Sequence, residues 1–204
     1  MTAHRSLTGL ARDAKDCRRC PLYRLATQTV FGEGPVHAPV MLVGEQPGDQ
    51  EDLQGRPLVG PAGKILDRAL ADAGIDRARV YVTNAVKHFK FEPRGKKRLH
   101  KKPNAGEIEA CKWWLDQELA LIKPALTVAL GATAARALAG RPLAIGASRG
   151  HLIEFQPALP GLVTIHPSFL LRMPDPALKA QEYRRFVQDL RLIVRHAPAA
   201  GLAA

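Results

Sequence analysis

Residues 39–48 read PVMLVGEQPG, five apolar residues that run straight into a turn carrying two glycines, a proline and an acid. Five residues are too few for a helix. Their apolar side chains stand at consecutive rather than alternate positions, which is the pattern of a strand covered on both faces. Similar short runs recur at 80–83 (VYVT), 126–130 (LTVAL) and 162–165 (LVTI). Between them the apolar spacing turns helical, over 62–73, 105–122, 132–139 and 176–194. Strand and helix alternate, and the alternation predicts an α/β chain: a three-layer α/β/α sandwich around a central, four-stranded, mostly parallel sheet.

Open sheets of this kind bind ligands beyond the carboxyl ends of their strands, so the residues that follow each run are the first candidates for a site. They are Gly44-Glu45-Gln46-Pro47-Gly48, then Asn84, then Gly131-Ala132-Thr133, then His166-Pro167-Ser168. Glu45 offers a negative charge, Asn84 pairs a donor with an acceptor suited to a base edge, and His166 can donate to a leaving group that gains charge. Ser168 and Arg172 can reach a phosphate. Each has a plainer reading, as a turn, a cap or a satisfied core histidine, and it is the convergence of three on one edge that favours a site. The GEQPG turn lacks the GxGxxG spacing of dinucleotide folds, which argues against a nicotinamide cofactor.

The 204 residues carry 30 Lys and Arg against 19 Asp and Glu, for a net charge of +11. A polyanion is the expected partner, nucleic acid before membrane surface. Eight of the basic residues crowd into 87–102, KHFKFEPRGKKRLHKK, around His100. This basic loop is expected to neutralise phosphates, with Phe89 and Phe91 packing it or stacking on a base. No apolar run is long enough to span a membrane, and the first residues lack a signal-peptide core, so the expectation is a cytoplasmic, monomeric protein. One domain is expected over 1–196, with a disordered tail at 197–204.

Cys17 and Cys20 form a CxxC pair, Cys111 is expected to open the helix after the basic loop, and His88 begins that loop. Three thiols and one imidazole suit zinc or an iron–sulfur cluster, and a CxxC pair also serves redox chemistry.

GEQPGDQEDLQGRPLVGPAG (44–63), TNAVKHFKF (83–91), KKRLHK (96–101) and HPS (166–168) together resemble the uracil-DNA glycosylase superfamily, and within it the UdgX type. The resemblance spans about 17–195. It implies a [4Fe–4S] cluster, with Cys17, Cys20, His88 and Cys111 as its ligands and zinc as the second choice. It implies excision of uracil from DNA, single-stranded or double-stranded, with the base held by Gln46, Asp49, Leu58, Asn84 and His166. Glu45 would stabilise the sugar cation, His166 the uracil anion, and His100 would bond covalently to C1′. Lys97, Arg98, Ser168 and Arg172 would contact DNA. Two departures stand out: Leu58 replaces the aromatic residue that stacks on uracil elsewhere in the family, and His88 replaces a cysteine. The competing readings are a turnover glycosylase with water as nucleophile and a non-catalytic single-strand-binding module.

Overall fold

The computed structural model describes residues 6–197 and 202. In chain order its elements are α1 (Leu7–Ala14), β1 (Val40–Gly44), α2 (Asp49–Gln54), α3 (Pro61–Asp72), β2 (Val80–Asn84), β3 (Phe91–Arg94), β4 (Lys97–His100), α4 (Ala105–Ile122), β5 (Leu126–Leu130), α5 (Ala132–Ala139), α6 (Ile145–Ser148), β6 (Leu152–Gln156), β7 (Leu159–Thr164), α7 (Ser168–Leu171) and α8 (Pro176–His196).

Among the described residues the central sheet has five strands, in the order β2-β1-β5-β7-β6. Four run parallel, and they are the four the apolar runs mark. The fifth corrects the four-strand expectation: β6 lies antiparallel on the outer edge against β7. Its sequence, LIEFQ, buries only Phe155, so it lacks the unbroken apolar run that betrays a central strand.

Every residue of β1, β2 and β5 is buried, because helices cover both faces. Alternate side chains of β1 serve different layers. Met41 and Val43 join Leu10 of α1, Leu115 of α4 and Leu138 of α5 in one cluster. Val40 and Leu42 join Leu66 and Leu70 of α3 and Phe186 and Leu190 of α8 in the other. Caps fix where helices begin: Asn104 and Glu107 form a reciprocal capping box on α4, and Asp175 accepts from two amides of α8.

One further expectation changes: the basic segment is a two-stranded hairpin, β3 against β4, closed by Gly95 at φ +57° and Lys96. Of the tail expected at 197–204, residues 198–201 and 203–204 lie outside the described residues; Leu202 is buried and its carbonyl accepts from the Asp76 amide.

Candidate active site

Parallel register brings the ends of β1 and β2 level, with Gly44 opposite Asn84. Two strands away, the Gly131 amide donates to Thr164 O at the end of β7, which sets His166 beside this edge. A methyl built on Gly44 would lie 2.3 Å from Asn84 Oδ1 and 3.5 Å from His166 Nε2. Asn84 Oδ1 and His166 Nε2 are both buried and neither has a hydrogen-bond partner among the described residues. Buried polar atoms are rarely left so, and two that converge on the bare face of a glycine mark a place for a polar ligand. Gly131 is needed too: it holds φ +88°, and a Cβ there would press on His166 Cβ at 3.2 Å.

The hydrogen bonds fix which nitrogen of His166 bears the proton. The Ser168 amide donates to His166 Nδ1 at 3.2 Å. Arg172 Nη1 donates to Ser168 Oγ at 3.1 Å, leaving the hydroxyl proton for the same Nδ1, 2.8 Å away. Nδ1 is therefore an acceptor, and the neutral ring presents Nε2–H to the site. Burial above all, then the neighbouring Arg172 and His100, lowers its pKa to about 4. The imidazole is a neutral donor near pH 7.

Glu45 follows directly on β1. Its Oε2 accepts from Thr133 Oγ1 at 2.5 Å, and its Oε1 lies 3.5 Å from His100 Nε2. The hairpin delivers His100 to this spot. His100 is the last residue of β4, opposite Phe91, and about half of its side chain is exposed.

Gln46, expected on the base, has its side chain engaged with the hairpin. Its Oε1 accepts from the Lys90 amide, and its amide nitrogen donates to Lys90 O and Lys101 O. These backbone partners fix the amide's orientation. The same nitrogen sits 2.9 Å from His100 Nε2; an amide nitrogen has no acceptor capacity, so it takes no proton from that ring atom, and the contact favours an unprotonated Nε2. Arg98 is likewise turned inward. It donates to Asp49 Oδ1 at 2.6 Å and to the fully buried Asp52 at 2.5 Å, and its guanidinium lies over Phe89 and Phe91. Asp49 is thus tied to Arg98, and the two phenylalanines stack on each other within the protein.

Lys87, counted above among the phosphate-binding residues, corrects that expectation. It is fully buried, and its Nζ donates to Glu118, to Thr83 and to Asn84 O. Glu118 also accepts from Tyr81 and the Gly32 amide, so the charge pair is densely hydrogen-bonded. Lys97, Arg94, Lys96 and Lys102 are exposed on and beside the hairpin, and Arg172 is exposed at the end of α7. Leu58 is buried at φ +54° in the cluster that holds Leu66 and Leu170. Sequence reading missed Asp52 and Glu118, and it named Thr133 after the third run without giving it a role. Their only local signal was a polar side chain at a helical position that proves to be buried.

Cys17, Cys20 and Cys111 are buried and not joined in disulfides. Cys111 lies well inside α4 rather than at its start, and it accepts from the Lys87 amide at 3.2 Å. Burial above all, opposed by Lys87 and reinforced by the other two thiols, pushes Cys111 up to about 12; burial likewise raises Cys20. Burial lowers the pKa of His88, whose Nδ1 is buried without a partner. Among the described residues no three His, Cys, Asp or Glu side chains close on a single ion. Soft thiols that feel one another's charge, beside an imidazole with an orphaned nitrogen, form a donor set that fits an iron–sulfur cluster.

The family model of the uracil DNA glycosylase superfamily matches residues 31–191. A type-4 uracil-DNA glycosylase of Pyrobaculum aerophilum is 37% identical over 187 residues, 87% of this chain and 88% of that protein. One of Thermotoga maritima is 37% identical over 176 residues, 86% of this chain and 85% of that protein. A DNA polymerase of Bacillus phage SP01 is 31% identical over 163 residues, 79% of this chain but 16% of that protein.

Proposed function

The chain belongs to the uracil-DNA glycosylase superfamily, and from that premise we propose that it excises uracil from DNA and ends joined, through His100, to C1′ of the deoxyribose. The observation that carries the covalent step is the meeting of His100 Nε2 and the Glu45 carboxylate, 3.5 Å apart at the sheet edge.

Uracil stacked in a duplex is out of reach, so the base enters from a single strand or by flipping. Asn84 Oδ1 accepts from N3–H of uracil, and His166 Nε2–H donates to a carbonyl oxygen of the base; among the described residues both atoms otherwise lack partners. As the bond from N1 to C1′ breaks, its electron pair passes to the uracil ring. Positive charge builds on C1′ and O4′. The neutral His166 donor is stronger toward the uracil anion than toward uracil, and Glu45 attracts the sugar cation, so both favour the transition state over the ground state. His100 Nε2 then donates its lone pair to C1′. The resulting imidazolium loses its Nδ1 proton to solvent, and uracil takes up a proton. No water is consumed, and an alkylated imidazole is a poor leaving group.

Gln46 and Arg98 support this reading by fastening the hairpin that carries His100. Exposed Lys97, Arg94, Lys96 and Lys102 offer charge to the DNA backbone. Cys17, Cys20, His88 and Cys111 would hold a [4Fe–4S] cluster, which would supply a cross-link between three separate segments of the chain.

The test is a denaturing gel of protein mixed with uracil-containing and thymine-containing single strands. A heat- and detergent-stable shifted band with uracil alone is expected, and His100→Ser should abolish it. Free abasic DNA with many turnovers would instead make water the nucleophile, and binding without base release would leave only a single-strand-binding module. A covalent band that survives His100→Ser would place the nucleophile elsewhere.

A further inference from the structure

His88 is 3% exposed, and its two ring nitrogens have different fates. Nε2 lies 3.0 Å from Thr29 Oγ1, whereas Nδ1 is buried and has no partner among the described residues. The direction of the first bond follows from the next one along. Thr29 Oγ1 also lies 2.8 Å from Ala14 O, and a carbonyl oxygen only accepts, so the single hydroxyl proton is committed there. Toward His88 the hydroxyl must accept, and the ring proton therefore sits on Nε2. The lone pair of the neutral ring is left on Nδ1, the atom without a partner.

We infer that Thr29 is a positioning residue for the cluster: by accepting from Nε2–H it locks His88 in the one tautomer whose Nδ1 can ligate iron. This rests on the reading of His88 as a cluster ligand. An imidazole has two neutral tautomers and a free χ2, while a cysteine thiolate has neither ambiguity, so a histidine ligand needs an outer partner that a cysteine does not.

The surrounding bonds tie Thr29 to the same centre by other routes. Ala14 O, at the end of α1, accepts from the Cys17 amide as well as from Thr29. The Val30 amide donates to Lys87 O, and the Lys87 amide donates to Cys111 Sγ. One short network thus reaches Cys17, His88 and Cys111. A cleft of about 180 Å³ lined by Cys17, Thr27, Gln28, Thr29 and His88 opens beside them, which gives a small chelator an approach.

The experiment measures iron and acid-labile sulfide in the purified protein, and the rate at which iron passes to a ferrous chelator under reducing conditions. Thr29→Val keeps the shape and removes the acceptor; iron release should quicken roughly 10–100-fold, the usual cost of losing an outer-shell partner. Thr29→Ser should stay near the parent. In a His88→Cys background the same Thr29→Val change should have no effect, because a thiolate has no tautomer to set. Thr29→Ala carries the same comparison if Thr29→Val does not fold. Parental iron release in Thr29→Val, or an equal effect in both backgrounds, overturns the inference and leaves Thr29 a packing residue. A His88→Ala protein that keeps its full iron and parental release rate overturns the ligand reading itself, and the inference with it.

Discussion

Protonating His166 should cost the folded protein stability, and the amount follows from its setting. Part-buried at the sheet edge beside Arg172 and His100, with Nε2 sealed from solvent, the ring has a pKa of about 4 against 6.5 for an unperturbed histidine. Between those two values the unfolded chain binds a proton that the folded chain refuses. The native state therefore loses about 1.4 kcal/mol of stability for each pH unit of fall in that window, and roughly 3 kcal/mol across all of it. Stability from this source is fully present above pH 6.5 and is lost as pH drops to about 4. Other groups titrate in the same range, so the comparison is with His166→Gln, which removes this one proton and leaves the rest. Urea unfolding of both proteins at half-unit steps from pH 7.5 to 3.5 gives the difference. The parent should lose roughly 3 kcal/mol relative to the variant, and an NMR titration should find the ring neutral at pH 5. A difference that stays flat to within about 1 kcal/mol would refute the buried, neutral donor.

Gly44→Ala would place a methyl 2.3 Å from Asn84 Oδ1, in the space both orphaned polar atoms face; single-turnover excision should fall on the order of 100-fold while thermal unfolding shifts little. Lys87→Met strands the buried Glu118 charge and should cost about 3–5 kcal/mol in urea unfolding, most of it restored by adding Glu118→Gln. Arg98→Met leaves the fully buried Asp52 with only the Thr27 amide; about 3 kcal/mol of stability should go, the low end because Arg98 is partly exposed, and the covalent band should form more slowly as the hairpin loosens. Adding Asp52→Asn should recover the stability lost in Arg98→Met, which unfolding of the double variant would check.

The four parallel strands were legible because burial on both faces forces consecutive apolar residues, a signal contained within five positions. Helices α3, α4, α5 and α8 were legible for the same reason, their apolar spacing and caps being local. The edge strand β6 and the hairpin were not. Both are half exposed or more, and the hairpin's stability comes from Gln46 and from Arg98 clamped by Asp49 and Asp52, some 45 residues earlier in the chain.

What the amino-acid order determined by itself is therefore the layered α/β fold, the strand ends, and the presence there of Glu45, Asn84 and His166. What only the tertiary structure decided is which charges face water. Lys87 and Lys97 lie in one basic stretch, yet Lys87 is sealed against Glu118, 31 residues on, while Lys97 is exposed. It also decided which histidine nitrogens carry protons, since Ser168, Gln46 and Thr29 set the rings of His166, His100 and His88. The physical reason is common to both: local sequence fixes backbone periodicity, but the partner that satisfies a buried charge or ring nitrogen is often brought in from a distant segment by the fold.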